Sequence, residues 1–499
     1  MNKHRPYIIF MLLAILVAIT GCRKGSTKVD TPASVGVKYV EPVDFDFEKI
    51  KARGTMIAVV DNSSTGYFIY RGRTMGYEYD LLDRLAQDLG VDLKVVLTAD
   101  IEEAFDMLNR GKADIMAYHL TVTKERRQRV LFTDPHTEVR QVLVQRKPDN
   151  WRKLKVHELE QALLRNPLEL MGKEVHTRKG SAFSQRLSNL SEEIGGDIVI
   201  IEEAGQIDTE TLIKRVADGE IDYTVADEDV GMINATYHPN VDAQTDISFP
   251  QQIAWAVRKN SPVLKDSIDV WLEDIKKTPD FNVIYNRYFR YSKSQNIRAQ
   301  GIYSSVTGGK ISPYDELLKE GAETLGLDWL LLASLVYQES KFDPAAESWA
   351  GARGLMQLTD ITMEEYGIED PLDPVENVKG GVAHLKWLDN YWAERVSDPA
   401  ERFKFILASY NVGQGHIIDA MRLTKKYGKD QEKWEDVSHY LGLKSTAQYY
   451  QDPVVDFGYC RCTEPIHYVD IVFKRYDEYK TAFNKPVVQP DSTLVTSTR

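Results

Sequence analysis

Short apolar runs alternate with amphipathic segments over the first half of the chain. The runs are typical of buried strands, whereas the segments between them repeat apolar residues at helical spacing. Strands are predicted at Met56–Val60, Leu93–Leu97, Ala113–Ala117, Glu174–His176, Ile198–Ile200, Asp222–Val225 and Gln252–Val257, and helices at Tyr79–Leu89 and Ile101–Leu108. This alternation predicts an α/β sheet domain over residues 46–291.

The second half of the chain has a different pattern. Residues 292–312 are polar and rich in Ser and Gly, which is typical of a linker. Helical patterns then dominate and convincing strand alternation is absent; helices are predicted at Tyr314–Leu325, Trp329–Glu339, Val375–Trp392 and Ala400–Tyr410. We therefore expect a mainly α-helical domain over residues 313–483, followed by a polar tail, 484–499.

The N-terminus has the pattern of an export signal. A basic stretch, Lys3–Arg5, precedes an apolar run from Tyr7 to Ile19 that is short for a transmembrane helix. The run ends at Gly21-Cys22, which resembles a bacterial lipobox; the alternative is a plain signal anchor with an incidental cysteine. The resemblance implies a signal peptide over residues 1–22 and lipidation of Cys22. A polar tether, residues 23–45, would follow.

The lipobox also bears on location. It implies a lipoprotein of the membrane that faces the periplasm. Arg23 follows the cysteine, so there is no acidic signal for retention in the inner membrane. We therefore expect the outer membrane, although the sequence alone does not decide the leaflet.

Charge and cysteine content exclude some functions. The 499 residues have a formal net charge of −13 and no basic stripe with interleaved aromatics, so nucleic acid is not an expected partner. Besides Cys22, only Cys460 and Cys462 are present, and they can close a disulfide, bind a metal or stay reduced. No His/Cys cluster has zinc-like spacing, so we interpret this pair as structural and expect no metal and no cofactor.

Four motifs of the second half occur in a recognisable order. They are Glu339-Ser340, Gly354-Leu355-Met356-Gln357, Ser409-Tyr410-Asn411 and Glu464-Pro465-x-x-Tyr468-Val469. Together they resemble the motifs of the family 1 lytic transglycosylases, which share the goose-type lysozyme fold. Ser409 and Pro465 depart from the usual alanine and threonine, and both lie off the proposed chemistry.

Glu339 is the candidate acid/base. It ends an apolar helical pattern, and a carboxyl held against such a helix has a raised pKa and stays protonated near neutrality, as a general acid requires. Taken alone, Glu339 is more readily interpreted as a solvated residue at a helix C-terminus. The flanking motifs favour the catalytic interpretation.

A conventional glycosidase uses two carboxylates, whereas only one compelling carboxylate is found here. The resemblance implies that the N-acetyl group of the sugar stabilises the developing positive charge. The same glutamate then takes the proton of the C6 hydroxyl, which closes a 1,6-anhydro ring on the N-acetylmuramic acid of peptidoglycan. A goose-type muramidase and a non-catalytic glycan or amino-acid receptor remain alternatives.

The other motif residues are expected to bind the glycan strand. Gly354 would let a loop approach the sugar, and Met356 and Gln357 would line the groove, although core packing of Met356 is nearly as plausible. The aromatic and amide side chains of Tyr410 and Asn411 would orient the N-acetyl group or Glu339. The resemblance further places Tyr468 against the reacting sugar and Ser340 in the local turn.

The first half resembles the family 3 periplasmic solute-binding proteins, which have a two-lobed α/β fold. The resemblance rests on Gly76-Tyr77-Glu78-x-Asp80-Leu81, on Leu120-Thr121-Val122-Thr123-Lys124-Glu125-Arg126 and on Val225-Ala226-Asp227. It implies that Thr121 and Arg126 hold the α-carboxylate of a ligand and Asp227 its amino group, with Ser181 and Asp80 completing the site. The expected ligand is an amino acid or a muropeptide; the alternative is a spacer domain without a ligand.

Overall fold

The computed structural model describes residues 40–204, 207–290, 302–306 and 308–483. Within these ranges the first part of the chain forms two five-stranded sheets, each flanked by helices. Its strands are β1 Thr55–Val60, β2 Phe68–Tyr70, β3 Arg73–Met75, β4 Asp92–Leu97, β5 Ile115–Met116, β6 Val130–Phe132, β7 Thr137–Val139, β8 Gln141–Arg146, β9 Glu174–Arg178, β10 Val199–Glu203, β11 Tyr223–Asp227, β12 Val241–Asp246, β13 Gln251–Ile253 and β14 Ala256–Arg258. The predicted two-lobed α/β architecture is confirmed.

Each sheet forms one lobe. The first has the order β4-β1-β5-β14-β6, with β1 parallel to β4 and β5, and the second has the order β10-β9-β11-β8-β12. The chain crosses between the lobes twice, and the crossing strands β7 and β13 pair antiparallel. A cleft between two lobes that are joined by two strands can open and close by small backbone rotations in those strands.

The helices of the α/β part cover both sheets. Their apolar faces point toward the strands; in the second of them Leu81, Leu82 and Leu85 are fully buried. The helices are α1 Phe47–Arg53, α2 Tyr77–Leu89, α3 Ile101–Asn109, α4 Val156–Ala162, α5 Ala182–Ile194, α6 Thr209–Asp218, α7 Glu228–Tyr237, α8 Pro262–Ile275 and α9 Pro279–Phe289.

In the described residues, the second part consists of helices and connecting loops, with isolated β-bridges between Glu347, Arg353 and Leu358. Four of its helices begin at an aspartate or threonine N-cap, which satisfies free backbone N–H groups of the first turn. The helices are α10 Asp315–Leu325, α11 Trp329–Ser340, α12 Asp360–Tyr366, α13 Pro374–Ala393, α14 Pro399–Val412, α15 Gln414–Lys426, α16 Trp434–Leu443, α17 Ala447–Tyr450 and α18 Thr463–Phe483. The predicted mainly α domain is confirmed.

The two parts share one continuous hydrophobic core. Hydrogen bonds also join the two parts. The carboxylate of Glu478 on α18 accepts from the hydroxyls of Thr74 at 2.6 Å and Tyr79 at 3.1 Å. The carbonyl oxygen of Gly72, in the turn between β2 and β3, accepts from the Tyr479 hydroxyl at 2.8 Å. A shared apolar core with buried hydrogen bonds holds the two parts together more firmly than a polar contact would.

Part of the predicted linker is packed rather than free. Ser305 donates its backbone N–H to Ile69 at 2.9 Å, and Arg71 donates to Tyr303 at the same distance. Residues around 304 thus extend the β2–β3 hairpin. Across the described ranges, no helix has the length and apolar character needed to cross a membrane.

Candidate active site and ligand cavity

The candidate catalytic carboxyl lies at the end of an almost fully buried helix. Helix α11 begins at Asp328, which caps the N–H of Leu330, and its residues from Leu330 to Val336 are buried. Glu339 is the penultimate residue of α11. The chain reverses directly after it, because Lys341 and Phe342 have left-handed φ values of 54° and 63°. The Glu339 side chain is therefore held where the apolar helix meets a tight turn.

Tyr468 on α18 contacts this carboxyl. Its hydroxyl donates to Oε1 of Glu339, and its side chain is buried. Burial raises the pKa of Glu339 to about 7, while the hydrogen bond from Tyr468 acts in the opposite direction. A carboxyl with this pKa is protonated at mildly acidic pH and can still release its proton, which suits a group that acts first as an acid and then as a base.

Tyr410 lies close enough to Glu339 for the two side chains to interact electrostatically. Burial, and then the Glu339 carboxylate, raises the pKa of Tyr410 well above its ordinary value. The Tyr410 hydroxyl donates to the carbonyl oxygen of Met356 at 2.7 Å, which ties α14 to the loop after α11. Asn411 follows with an exposed side chain. Ser340 donates to the Val336 carbonyl at 3.2 Å and so supports the end of α11.

A buried amide organises the loop that carries Gly354 and Met356. Asn377 on α13 accepts from the Met356 N–H at 2.7 Å and donates to the carbonyl of Pro371 at 2.8 Å. Gly354 has φ +82°, and an added Cβ would lie 2.1 Å from Nδ2 of Asn377. Only glycine fits there. Sequence reasoning missed Asn377, although an amide within the apolar pattern of α13 is a signal for such a role.

The remaining two loop residues differ in exposure. The Met356 side chain is fully buried and packs against Gly381, so the structure places it in the core and only its carbonyl faces Tyr410. Gln357 has a left-handed φ of 51°, and its Nε2 donates to the carbonyls of Ala346 and Gly354, each at 3.0 Å. Gln357 thus closes the loop on itself.

The cleft between the two lobes of the α/β part encloses a cavity of about 60 Å³. Side chains from both lobes line it. They include Asp61, Ser63, Thr65, Tyr118, His119, Thr121, Arg126, Arg178, Ser181, Asp208, Glu210 and Asp227. Four of the five residues assigned to ligand binding from the sequence, Thr121, Arg126, Ser181 and Asp227, are therefore brought together.

Arg126 joins the lobes at one end of this cavity. Its NH1 donates to the carbonyl of Thr121 at 2.8 Å and its NH2 to the carbonyl of Gly180, in the other lobe, at 2.9 Å. Ser181 occupies the N-cap position of helix α5, but its hydroxyl donates to the Arg178 carbonyl at 2.6 Å and does not cap the helix. Asp227 ends β11; burial raises its pKa to about 7, and Oδ1 has no hydrogen-bond partner. A buried carboxylate without a partner is suited to receive a ligand ammonium group.

A buried histidine links the lobes beside Asp227, and sequence reasoning missed it. Nε2 of His119 lies 3.1 Å from Oδ2 of Asp229, and its Nδ1 lies 3.6 Å from Oε1 of Glu78. Burial alone would lower the pKa of His119, but the neighbouring acidic side chains, Asp229 first, raise it well above its ordinary value. The two acidic side chains beside it thus favour the protonated form of His119.

Asp80, the fifth assigned residue, lies elsewhere. Its carboxylate accepts from the side chains of Arg287 and Tyr288 on α9, the latter at 2.8 Å, and it does not line the cavity. Burial raises the pKa of Asp80. Because α2 turns this carboxylate toward α9, Asp80 supports the lobe. Cys22, the predicted lipidation site, lies outside the described residues.

Cys460 and Cys462 form a disulfide. The ring of His416 lies near the two sulfurs, and these three residues are the one group in the described part of the chain with ligand atoms close enough to share a metal ion. Since both sulfurs are bonded to each other, neither is a thiolate. The structural interpretation of the pair fits this geometry.

Comparison with known families agrees with this two-part architecture. Residues 56–291 match the model for bacterial extracellular solute-binding proteins, family 3. Residues 316–433 match the model for the transglycosylase SLT domain. Among solved structures, the P235GK mutant of ArgBP from T. maritima is 24% identical; the match covers 48% of this chain and 98% of that chain, with a TM-score of 0.41. The fold and the site define a peptidoglycan lytic transglycosylase with an N-terminal solute-binding domain.

Curated relatives match both parts at once. A protein named membrane-bound lytic murein transglycosylase F from Desulfosudis oleivorans is 35% identical over 87% of this chain and 91% of its own length. A protein of the same name from Saccharophagus degradans is 32% identical over 85% and 81%. The chain belongs to the membrane-bound lytic murein transglycosylase F family.

Proposed function

We propose that Glu339 is the single acid/base of the lytic reaction. The observation that carries this assignment is the carboxyl at the end of α11, whose pKa of about 7 is set by burial and opposed by Tyr468. As an acid, Glu339 donates its proton to the glycosidic oxygen, and the bond from that oxygen to C1 of N-acetylmuramic acid breaks. The N-acetyl group of the same sugar stabilises the positive charge at C1.

The second half of the reaction uses the same residue as a base. The ionised Glu339 takes the proton of the C6 hydroxyl while that oxygen bonds to C1, which closes the 1,6-anhydro ring and restores the acid. No water is consumed, and no second carboxylate is required. Tyr468 stabilises the ionised form of Glu339 by hydrogen bonding between the two steps.

Product analysis tests this assignment. Sacculi digested by the wild type are expected to yield muropeptides that end in 1,6-anhydro-N-acetylmuramic acid, seen by mass spectrometry as a product lighter than the reducing form by one water. Glu339→Gln is expected to yield none, whereas Glu435→Gln, an exposed carboxyl of α16, keeps the activity. Reducing-end products from the wild type would instead identify a muramidase, and full activity of Glu339→Gln would overturn the assignment.

The glycan strand is proposed to bind beside this carboxyl. The charge of Glu339 acts on Tyr410, near the end of α14, and the Tyr410 hydroxyl donates to the Met356 carbonyl in the loop that Gly354 and Gln357 hold. Asn411 follows Tyr410 in the chain. The buried Met356 side chain anchors that loop by packing against Gly381, and Ser340 supports the end of α11 by its hydrogen bond to the Val336 carbonyl. Asn411→Ala is expected to raise KM for glycan strands without moving the pH profile, because the pKa of Glu339 is set by burial and by Tyr468 and the Asn411 side chain is exposed. A shifted pH profile would contradict this role.

The cavity between the lobes is proposed to bind an amino acid or muropeptide. Arg126 and Thr121 would receive the carboxylate, Asp227 the ammonium group, and Ser181 would close the carboxylate end from the second lobe. The unpartnered Oδ1 of Asp227 supports this proposal. Thermal melting of the full chain with L-amino acids and with a muropeptide digest is the test. A rise in Tm that Asp227→Asn abolishes is expected, and no rise with any of them would leave a spacer domain.

Ligand binding is proposed to regulate the lytic site through α18. The cavity-lining segment Asp61–Thr65 leads directly into β2, and the β2–β3 hairpin packs on α18 at Glu478 and Tyr479. Ten residues earlier, about 15 Å along the helix, the same α18 carries Tyr468. A shift of this one rigid helix would therefore move both its contact with the β2–β3 hairpin and the hydrogen bond from Tyr468 to Glu339. Equal turnover with and without saturating ligand would contradict the proposal.

Membrane attachment is proposed to occur through lipid on Cys22, in the outer membrane. The lipobox pattern and the name of the curated relatives, membrane-bound, support it. Cys22→Ala is expected to move the protein from the outer-membrane fraction into the soluble periplasmic fraction. Retention of the variant in the membrane fraction would identify a signal anchor instead.

A further inference from the structure

Trp349 is a fully exposed tryptophan in the loop between α11 and α12. All eight tryptophans of the chain lie in the described residues, and the next most exposed, Trp387, has 39% of its surface accessible against 100% for Trp349. An indole is one of the largest apolar groups in a protein, and tryptophan is on average a well-buried residue. Because the whole Trp349 side chain is accessible, it contributes no packing to the fold, which indicates a role toward a ligand.

The turn that carries Trp349 is closed by hydrogen bonds. The N–H of Ser348 donates to the Ala352 carbonyl at 2.9 Å, and the Ala352 N–H donates to the Ser348 hydroxyl at 3.0 Å. Glu347 and Arg353, on either side of the turn, form a β-bridge. These contacts fix the backbone beneath the indole, so that stacking a ligand on it costs less conformational entropy than stacking on a free loop would.

The same turn is attached to the candidate catalytic site at its base. The carbonyl of Ala346, three residues before Trp349, accepts from Nε2 of Gln357 at 3.0 Å. The residue before Gln357 is Met356, whose carbonyl accepts from the Tyr410 hydroxyl at 2.7 Å. Tyr410 is the residue whose pKa the candidate catalytic carboxylate raises. The exposed indole is thus carried by a loop that is fixed to this site.

The chain that follows this turn is acidic. Residues 354–378 contain seven aspartates and glutamates and no lysine or arginine. The charge of Asp360 is balanced by Arg353 at 2.6 Å, and that pair is the one described ion pair of the stretch. Negative charge disfavours an anionic lipid surface and the carboxylates of peptide stems, whereas it does not repel the uncharged sugar rings of a glycan. A sugar ring is therefore the partner that fits the indole and its surroundings.

We propose that Trp349 is a substrate-binding residue that stacks on a sugar ring next to the two sugars whose bond is cleaved. One face of a pyranose ring consists of C–H groups, which an indole can cover and remove from water. This inference rests on the proposed binding of the glycan strand beside Glu339 and adds a flanking sugar to it. Since the stacking is equal before and during bond cleavage, Trp349 acts on strand affinity and leaves the chemical step unchanged.

Calorimetric titration of the full chain in a Glu339→Gln background is the test, because strands are then expected to bind without being cleaved. The probes are stem-free glycan strands of eight sugars and the N-acetylmuramic acid–N-acetylglucosamine disaccharide, which contains only the cleaved bond. Trp349→Ala is expected to weaken binding of the long strand roughly fivefold and to leave binding of the disaccharide unchanged. Trp349→Phe keeps an aromatic ring and is expected to recover most of the lost affinity.

Kinetics with Glu339 intact give an independent readout. Trp349→Ala is expected to raise KM for glycan strands roughly fivefold while kcat and the pH profile stay at their wild-type values. The control is Phe249→Ala, which removes an aromatic ring that is 85% exposed in the α/β part. This control is expected to change neither KM nor strand binding. A fall in kcat with unchanged KM in Trp349→Ala would overturn the inference, because it would make the indole a support of the catalytic loop.

The outcomes of the titration separate a sugar contact from other roles of the indole. Equal affinity of the parent and Trp349→Ala for stem-free strands would overturn the inference, and a difference seen only with stem-bearing strands would make the peptide stem the partner. Equal weakening of the disaccharide and the long strand would also overturn it. No binding of either probe to the parent would remove the proposed glycan site together with this inference. Cleavage by the Glu339→Gln parent would contradict the assignment of Glu339 alone, and the KM of Trp349→Ala would then decide the inference.

Discussion

The Tyr468 hydroxyl donates a hydrogen bond to Oε1 of Glu339, and the two residues lie 129 positions apart in the sequence. Tyr468 comes from the last long helix and Glu339 from the second helix of the α-helical part. The hydrogen bond favours the ionised carboxylate, whereas burial favours the protonated acid. The balance between them holds the pKa of Glu339 near neutrality, which suits both halves of the proposed reaction.

Removing this hydrogen bond is expected to shift the pH dependence of catalysis. In Tyr468→Phe the pKa of Glu339 rises above about 7, because burial acts without opposition. The alkaline limb of the rate profile, where the acid loses its proton, therefore moves to higher pH, and kcat falls roughly tenfold as the ionised base is less stabilised. Kinetics on purified sacculi from pH 5 to 9 measure this. The control is Tyr476→Phe, on the same helix as Tyr468, which loses a hydrogen bond to Asp328. Its alkaline limb is expected to stay at the wild-type pH.

The same carboxyl is expected to make stability depend on pH. The folded pKa of Glu339 is about 7 against an ordinary 4.5, so its contribution is complete below pH 4.5 and is lost as the pH rises through 7. The free energy of unfolding of Glu339→Gln should equal that of the wild type at pH 4.5 and should be larger by about 1 to 3 kcal/mol at pH 8. Thermal melting at the two pH values measures the difference. An equal gain at both, or a similar gain in Glu435→Gln, would contradict it.

Hydrophobic periodicity was sufficient to predict the fold class and several of the long elements, although not the longest helix, α18. The pattern over Trp329–Glu339 predicted α11 to within one residue, and Tyr79–Leu89 predicted most of α2, which begins at Tyr77. Short edge elements were missed. The β2–β3 hairpin has three residues in each strand and is stabilised by contacts with α18 and residue 304, so no local pattern indicates it.

Some charged and polar residues of the two sites were likewise predictable from the sequence, and others were not. Motif order placed Glu339 and Tyr468 in one site, because each lies in a recognisable segment. Asp80 was assigned to the ligand cavity from its motif, yet α2 turns it toward α9. His119 and Glu210 were missed because a lone histidine or glutamate gives no sequence signal; only the closure of the two lobes brings them together.

The hydrogen bonds of Glu478 are expected to couple the melting of the two parts. Glu478→Ala leaves the hydroxyls of Thr74 and Tyr79 without their acceptor in a buried contact, a loss of about 1 to 3 kcal/mol. Scanning calorimetry should show a single transition in the wild type and two separated transitions in the variant. Asp477→Ala, an exposed neighbour on the same helix, is expected to keep one transition. Two transitions already present in the wild type would mean that the shared core does not couple the parts.

Gly72, in the turn between β2 and β3, lies against residues near the end of the helix that carries Glu339. It has φ +76°, and an added Cβ would lie 2.5 Å from the ring of Tyr337 and 2.6 Å from that of Phe342, the residues on either side of Glu339. Gly72→Ala must therefore displace α11 or the hairpin, and we expect a loss of about 2 to 4 kcal/mol together with reduced turnover. Gly90→Ala has a similar φ of +69° but meets nothing within 4 Å, so it isolates the cost of the backbone conformation, about 1 kcal/mol. Equal losses in the two variants, measured by denaturant unfolding, would show that the hairpin yields without disturbing the catalytic helix.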